Sequence, residues 1–419
     1  MKVLKWLGIT ILSIMLFISL SVFGLAFTAK STALNPNFLN REIEQLPISA
    51  IADYYTQDLQ SSLSPESQDY SAEIITAINK TITDMEPELK ANLEDASTQI
   101  YDYLLGKKAE PELAITLRNT ILSHAFINKL IDNLPVATIA TNVILDQLKT
   151  VDIPVEARLL LDYVKPAFTK AEPAIKVELK TATPLIIDYL MGKTQGFNAT
   201  INLQPITDSL MTSAKDIVAK SLPPEIARLP QAQIDSYIDQ YIDQNYSELL
   251  NILPTTFSLN QTLIGTDLPA QITDALRQAE EPLTKARTYV AIFQLYYIWL
   301  VVLCLVLIAG IAAIHHAVRG ATRTIGAIFL SYGVLEYGGI LIGKYFLRAN
   351  LFTELEAQMT GNAPTELITY TKQFILNLIS PLEILSLGIL IAGIILLVVS
   401  FVYRPRQAEN TNPENQGQI

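Results

Sequence analysis

Glu336 lies near the middle of an apolar run, Thr324–Leu347, "TIGAIFLSYGVLEYGGILIGKYFL". An ionised carboxylate at that depth in a bilayer costs on the order of 2.5–3.5 kcal/mol on insertion scales. It must be protonated, paired, or turned toward protein or water. Lys344 follows two helical turns later and is the nearest candidate counter-ion along the chain. Two roles are open for Glu336: a proton, ion or signalling pathway, or polar glue between helices. A second grouping is Asp235, Asp239 and Asp243, which recur every four residues beside Ile234, Ile238 and Ile242, with Tyr237 and Tyr241 on a third stripe. Like charges at this spacing repel mildly along a helix. The stripe reads as a solvated face or as a weak contact for a divalent cation or a basic partner. It lacks the loop and glycine turn of a dedicated calcium site.

Little else in the chain is equipped for chemistry. Three histidines and one cysteine occur in 419 residues. There is no Walker loop, dinucleotide fingerprint, HExxH, CxxC pair, GxSxG elbow or kinase signature. The sequence therefore predicts a protein that is not an enzyme and carries no cofactor or metal. Cys304, the single cysteine, falls in an apolar run and reads as a small hydrophobe.

Four runs reach the roughly 20 apolar residues a membrane span requires. They are 6–27, 289–314, 324–347 and 384–403. Residues 1–5 precede the first, whose core is longer than the roughly 7–15 residues of a signal peptide, which favours an uncleaved anchor. Lys2 and Lys5, Arg319 and Arg323, and Arg404 and Arg406 fall on one side if the spans alternate. The positive-inside rule makes that side cytoplasmic. Residues 28–288 and the loop 348–379 are then extracytoplasmic, and both termini, including the tail 404–419, are cytoplasmic. Leu351, Leu355 and Met359 suggest a short amphipathic helix in the loop. In the third span Gly339 and Gly343 form a GxxxG helix-contact pattern, with Gly333 on the same small-residue face; Gly388 and Ala392 offer a notch in the fourth.

The acidity is concentrated in the outer segment. Residues 28–288 hold 34 Asp and Glu against 21 Lys and Arg, a net of −13 beside −11 for the whole chain. Such a surface repels nucleic acid and anionic headgroups. The expected partners are the lipid bilayer and either another protein or a second copy through the spans.

The outer segment repeats itself. "EPELKANLEDASTQIYDYLLGK" at Glu86–Lys107 answers "EPAIKVELKTATPLIIDYLMGK" at Glu172–Lys193, and "FLNREIEQLP" at Phe38–Pro47 answers "FINKLIDNLP" at Phe126–Pro135. The pattern predicts a duplicated unit of about 87 residues, covering about 34–120 and 121–210, with a degenerate third unit at about 221–285. Leu89, Leu93, Ala96, Ile100 and Leu104 make one helical stripe, Pro87 opens it, and Gly106 closes it. Ile175, Leu179, Ala182, Ile186 and Leu190 repeat the stripe up to Gly192, with a kink expected at Pro184. "ELAITL", "NATINL" and "TTFSLNQT" read as brief strands.

The predicted fold is mainly α: four transmembrane helices and a large helical outer domain with a few short strands. The repeats suggest an extended binding surface, hence a sensor, interaction or envelope role. The alternatives are a non-catalytic transporter or permease subunit, or an envelope scaffold. One span, a large outer domain and three further spans resemble, in layout alone, membrane permeases of the macrolide-exporter and cell-division types.

Overall fold

In hydrocarbon no water can satisfy a backbone N–H or C=O, so a spanning segment must close its own hydrogen bonds as a helix. The four apolar runs obey this. The computed structural model describes residues 2–62, 68–148, 161–245 and 255–402, and the predicted cytoplasmic tail lies outside them. The helices in order are α1 (Lys2–Ser31), α2 (Pro36–Gln45), α3 (Ile48–Ser62), α4 (Gln68–Asp84), α5 (Glu86–Leu104), α6 (Leu113–Asn119), α7 (His124–Asn133), α8 (Val136–Leu148) and α9 (Leu161–Leu190). Then come β1 (Asn198–Asn202), α10 (Gln204–Lys220), α11 (Gln231–Asn245), β2 (Thr256–Asn260), α12 (Gln261–Ile264), α13 (Leu268–His315), α14 (Val318–Phe346), α15 (Phe352–Met359) and α16 (Thr365–Val402). The chain is mainly helical, and four of these helical stretches are long and apolar enough to cross a membrane.

The chain divides into two compact units. The first comprises residues 1–45, 104–107 and 286–419, and the second residues 46–103 and 108–285. In the first, Leu16 and Leu20 of α1, Leu307 and Ile311 of α13, and Ile325, Ile328 and Tyr332 of α14 form one buried cluster. Tyr332 is wholly buried and meets Phe17 edge-on at 6.0 Å between ring centres. Cys304 is buried on α13.

Helices α14 and α16 touch backbone to backbone. A Cβ at Gly333 would stand 2.6 Å from the Leu390 Cα, and one at Gly393 would stand 2.5 Å from the Leu330 backbone nitrogen. Gly24 of α1 is equally committed, since a Cβ there would meet the Tyr332 hydroxyl at 2.6 Å. Small residues let helices approach this closely where lipid gives no hydrophobic drive to associate.

The helices outrun the apolar runs that announce them. α13 is 48 residues and α16 is 38. The predicted loop 348–379 is helical apart from residues 360–364, because a π-turn at Leu347–Leu351 leads straight into α15 and α16 begins at Thr365. Polar residues at the start of α16 extend the helix outside the span without disturbing its bonding.

In the second unit, α9 is the central element. Its Val164, Ala167, Phe168, Ala171 and Ile175 form one buried cluster with Ile206, Leu210, Ala214 and Val218 of α10 and Ile238 and Ile242 of α11. α9 continues through Pro166, Pro173 and Pro184 as one helix. β1 and β2 pair antiparallel from Asn198↔Asn260 to Asn202↔Thr256. The third predicted strand is absent: "ELAITL" lies in α6, entered from Glu112 in left-handed conformation at φ 50°. Alternation alone does not make a strand, and this stretch has no edge to pair with; β1 finds its edge in β2. Residues 246–250 of the predicted third-unit helix lie outside the described residues.

Glu86 opens α5 beside Lys90, 2.7 Å away, and accepts from the Ser49 hydroxyl. Burial alone would raise its carboxyl pKa, but the Lys90 and Ser49 hydrogen bonds prevail and hold it below the usual glutamate value. A lowered folded pKa stabilises above the ordinary value and is lost as pH falls through the lowered one. Glu86→Gln is therefore expected to lower the unfolding midpoint of the detergent-solubilised chain at neutral pH. The difference from wild type should vanish in acid, as pH-dependent thermal melts would read. Gly333→Ala should destabilise the same preparation by about 1–3 kcal/mol through overpacking. Gly339→Ala, with nothing within 4 Å of the new Cβ, should stay within about 0.5 kcal/mol.

Candidate functional site

The residues singled out in the third span do not converge. Glu336 is half-buried on α14, one turn from Tyr332. Lys344 does not pair with it. Its ammonium bonds the Glu383 carboxylate of α16, with both side chains mostly buried. Along-chain proximity suggested the wrong partner, because the neighbouring helix brings a carboxylate nearer than two turns of α14 do. The glycine pattern is corrected likewise. Gly339, Gly343 and Gly388 have no atom within 4 Å of an added Cβ, and the close contacts fall on Gly333 and Gly393 instead. The GxxxG face of α14 is thus unoccupied among the described residues.

The acidic stripe stands on the exposed side of α11, opposite buried Ile238 and Ile242. Asp235 accepts from the Gln231 amide at 2.9 Å and Asp239 pairs with Lys215 at 2.9 Å; Asp243 is exposed. The hydrogen bond from Lys215 to Asp239, then the charge of Asp239, raises the Lys215 pKa. Among the described residues no group of three or more His, Cys, Asp or Glu could hold a metal ion.

The helix caps Gly106 and Gly192 have left-handed φ of 79° and 69°. After Gly192 the chain closes with Gly192 N–H to Tyr189 C=O and Lys193 N–H to Asp188 C=O, both 2.9 Å, the two bonds of a Schellman cap. After Gly106, Lys108 N–H reaches Asp102 C=O at 3.0 Å. The neighbouring tyrosines are deeply buried. Tyr103 and Tyr189 are 4% and 2% exposed; the first meets the Thr284 hydroxyl at 3.1 Å and the second donates to Gly265 C=O at 2.9 Å. These groups build the fold and offer nothing to a ligand.

A polar cleft of about 460 Å³ opens where α5, α6 and the start of α7 meet. Asn92, Asp95, Ala96 and Gln99 line it from α5, Thr116, Arg118 and Asn119 from α6, and Ser123 and His124 from the α7 entry. Ser123 is spent as the α7 N-cap, accepting from Phe126 N–H at 3.1 Å. The Gln99 Oε1 and Thr116 Oγ1 atoms are buried without a hydrogen-bond partner among the described residues. A buried acceptor left open is costly unless water or a ligand fills it. Arg118 approaches Asp188 only to 3.9 Å, longer than a hydrogen bond, so its guanidinium remains able to donate. The cleft can therefore recognise a small polar molecule by hydrogen bonds and one charge contact. Sequence reading missed it because "ELAITL" was taken as a strand, and only a helix there sets Thr116, Arg118 and Asn119 against α5 and the α7 entry. The available signal was His124, the one histidine between the first and second apolar runs.

No family model, curated protein or solved structure matches this chain.

Breaking the Lys344–Glu383 pair singly would leave one charge mostly buried and alone, which is more costly than removing both. Lys344→Met is expected to destabilise the solubilised chain by about 2 kcal/mol, and the Lys344→Met/Glu383→Leu double variant to recover most of it. Thermal unfolding of the four-member cycle reads the coupling.

Proposed function

We propose that this chain is a cell-membrane protein with cytoplasmic termini that displays its second unit outside, where the α5–α6–α7 cleft binds a small polar solute. The observation that carries this reading is the cleft lining itself, where Gln99 and Thr116, each with a side-chain oxygen buried and unpartnered among the described residues, stand around one space with Arg118 and His124. Arg118 suits a carboxylate or other anionic group, and the acceptors suit hydroxyl or amide donors. The clustering of Lys and Arg at one set of span ends supports the orientation.

The outer domain is read as an internal duplication, supported by like environments at positions 86 apart. Leu89 and Ile175, Ala96 and Ala182, Ser97 and Thr183, Tyr101 and Ile187, and Tyr103 and Tyr189 are all buried. Glu86–Lys90 and Glu172–Lys176 are ion pairs of the same 2.7 Å length. Under this reading the first copy keeps a ligand cleft, while the counterpart of α6 in the second copy became β1. The role assigned is binding or sensing, with no catalytic step. The open Gly339/Gly343 face of α14 favours self-association or a membrane partner in addition, which suits a subunit of a larger assembly.

The test is a thermal-shift screen of the purified, detergent-solubilised full chain against amino acids, sugar acids and polyols. At least one anionic polar solute should stabilise wild type in a saturable way. Its apparent Kd should rise at least about 10-fold in Arg118→Gln and in Gln99→Leu, an effect of about 1.4 kcal/mol. Absence of any saturable shift, or equal shifts in the variants, overturns the proposal.

A further inference from the structure

The first unit holds a second cavity, of about 450 Å³, between the end of α1, the helix α2 and the early part of α16. Glu42 lines it and is only 2% exposed. One carboxylate oxygen, Oε1, accepts from the Asn377 amide at 2.9 Å, while Oε2 is buried with no partner among the described residues. Arg41 lines the same cavity and is exposed. Its guanidinium lies over the Phe38 ring at 5.9 Å and forms no ion pair among the described residues. The Lys30 ammonium is engaged over the Tyr297 ring at 4.3 Å. Among the described residues the cavity thus holds a buried carboxylate with one oxygen lacking a donor and a nearby cation lacking an anion.

The apolar side of the cavity tells where its occupant comes from. Phe27 and Ile384 line it, and Ile384 is 69% exposed. Below Ile384 the exposed side chains of α16 continue as Leu387, Ile391, Ile394 and Ile395, the surface such a span turns to lipid. The cavity therefore opens onto the acyl-chain surface at the end of the spans. A molecule filling it needs an ammonium with N–H donors for Glu42, an anionic group for Arg41, and hydrocarbon for the α16 flank.

We infer that this cavity is a headgroup site for an ethanolamine phospholipid, with the primary ammonium on Glu42, the phosphate on Arg41 and the acyl chains along Ile384 and Leu387. A choline headgroup has no N–H to donate and cannot satisfy Oε2. A glycerol headgroup brings the phosphate but no cation.

The experiment is native mass spectrometry of the delipidated full chain, titrated with phosphatidylethanolamine, phosphatidylcholine and phosphatidylglycerol of identical acyl chains. The ethanolamine lipid should bind at least about 10-fold tighter than the other two. Glu42→Gln, which keeps an acceptor for Asn377, should abolish that preference while leaving phosphatidylglycerol binding unchanged. Arg41→Gln, at an exposed position, should weaken all three lipids, each of which brings a phosphate, and so tests the site even if the Glu42 variant fails to fold. Equal binding of ethanolamine and choline lipids overturns the inference, as does a folded Glu42→Gln that retains the preference. Competition by soluble phosphoethanolamine as strong as by the lipid would also overturn it, by placing the ligand in water.

Discussion

At two levels between α14 and α16 there is no space for a side chain. Gly333 lies against the backbone of Leu390, and Gly393 against that of Leu330. Lipid provides no hydrophobic force to bring two spans together, so contact must be earned through packing and polar pairing. Everything else in the first unit is arranged around that contact. It sets the distance at which Lys344 meets Glu383. It fixes the face on which Tyr332 turns inward, where Gly24 of α1 can close over its hydroxyl. It also leaves the Gly339 and Gly343 side of α14 bare.

The second unit meets a different constraint. It has no disulfide, since the chain's only cysteine lies on α13 among the spans. Its cohesion comes from the apolar length of α9 and the helices laid on it. Three prolines inside α9 remove backbone donors, yet the helix persists because α7, α8 and α10 pack along it. Tertiary burial outweighs local propensity here, as it commonly does. The polar cleft lies away from this core, at the junction of α5, α6 and α7, where side-chain acceptors can remain open without loosening the packing.

How much of this was written in the sequence depends on the range of the interaction. The spans were legible because the bilayer imposes a length and a composition on contiguous residues. The caps at Gly106 and Gly192 were legible because a left-handed residue after a helix is a local demand. The true partner of Lys344 was not, because Glu383 is 39 positions away and only the pairing of two helices brings it near. The glycine contacts were misassigned for the same reason: spacing identifies a face of a helix but not which face has a neighbour. The "ELAITL" stretch just before Arg118 alternates like a strand, yet only an available edge makes alternation into a sheet. The cleft disappeared with that misreading, and Glu42, an ordinary acidic residue in a charged helix, gave no hint that it would be buried.

The solitary thiol has a practical consequence. Cys304 is 8% exposed on α13, so the native chain presents almost no reactive sulfur to a bulky reagent. A cysteine introduced at an exposed helix position, for instance at Asp243 or Glu366, would be the sole accessible label on an otherwise silent background. A membrane-impermeant maleimide then reports the sidedness of each segment in intact cells. Paired spin labels placed the same way would read distances across the protein without first having to strip out competing native cysteines.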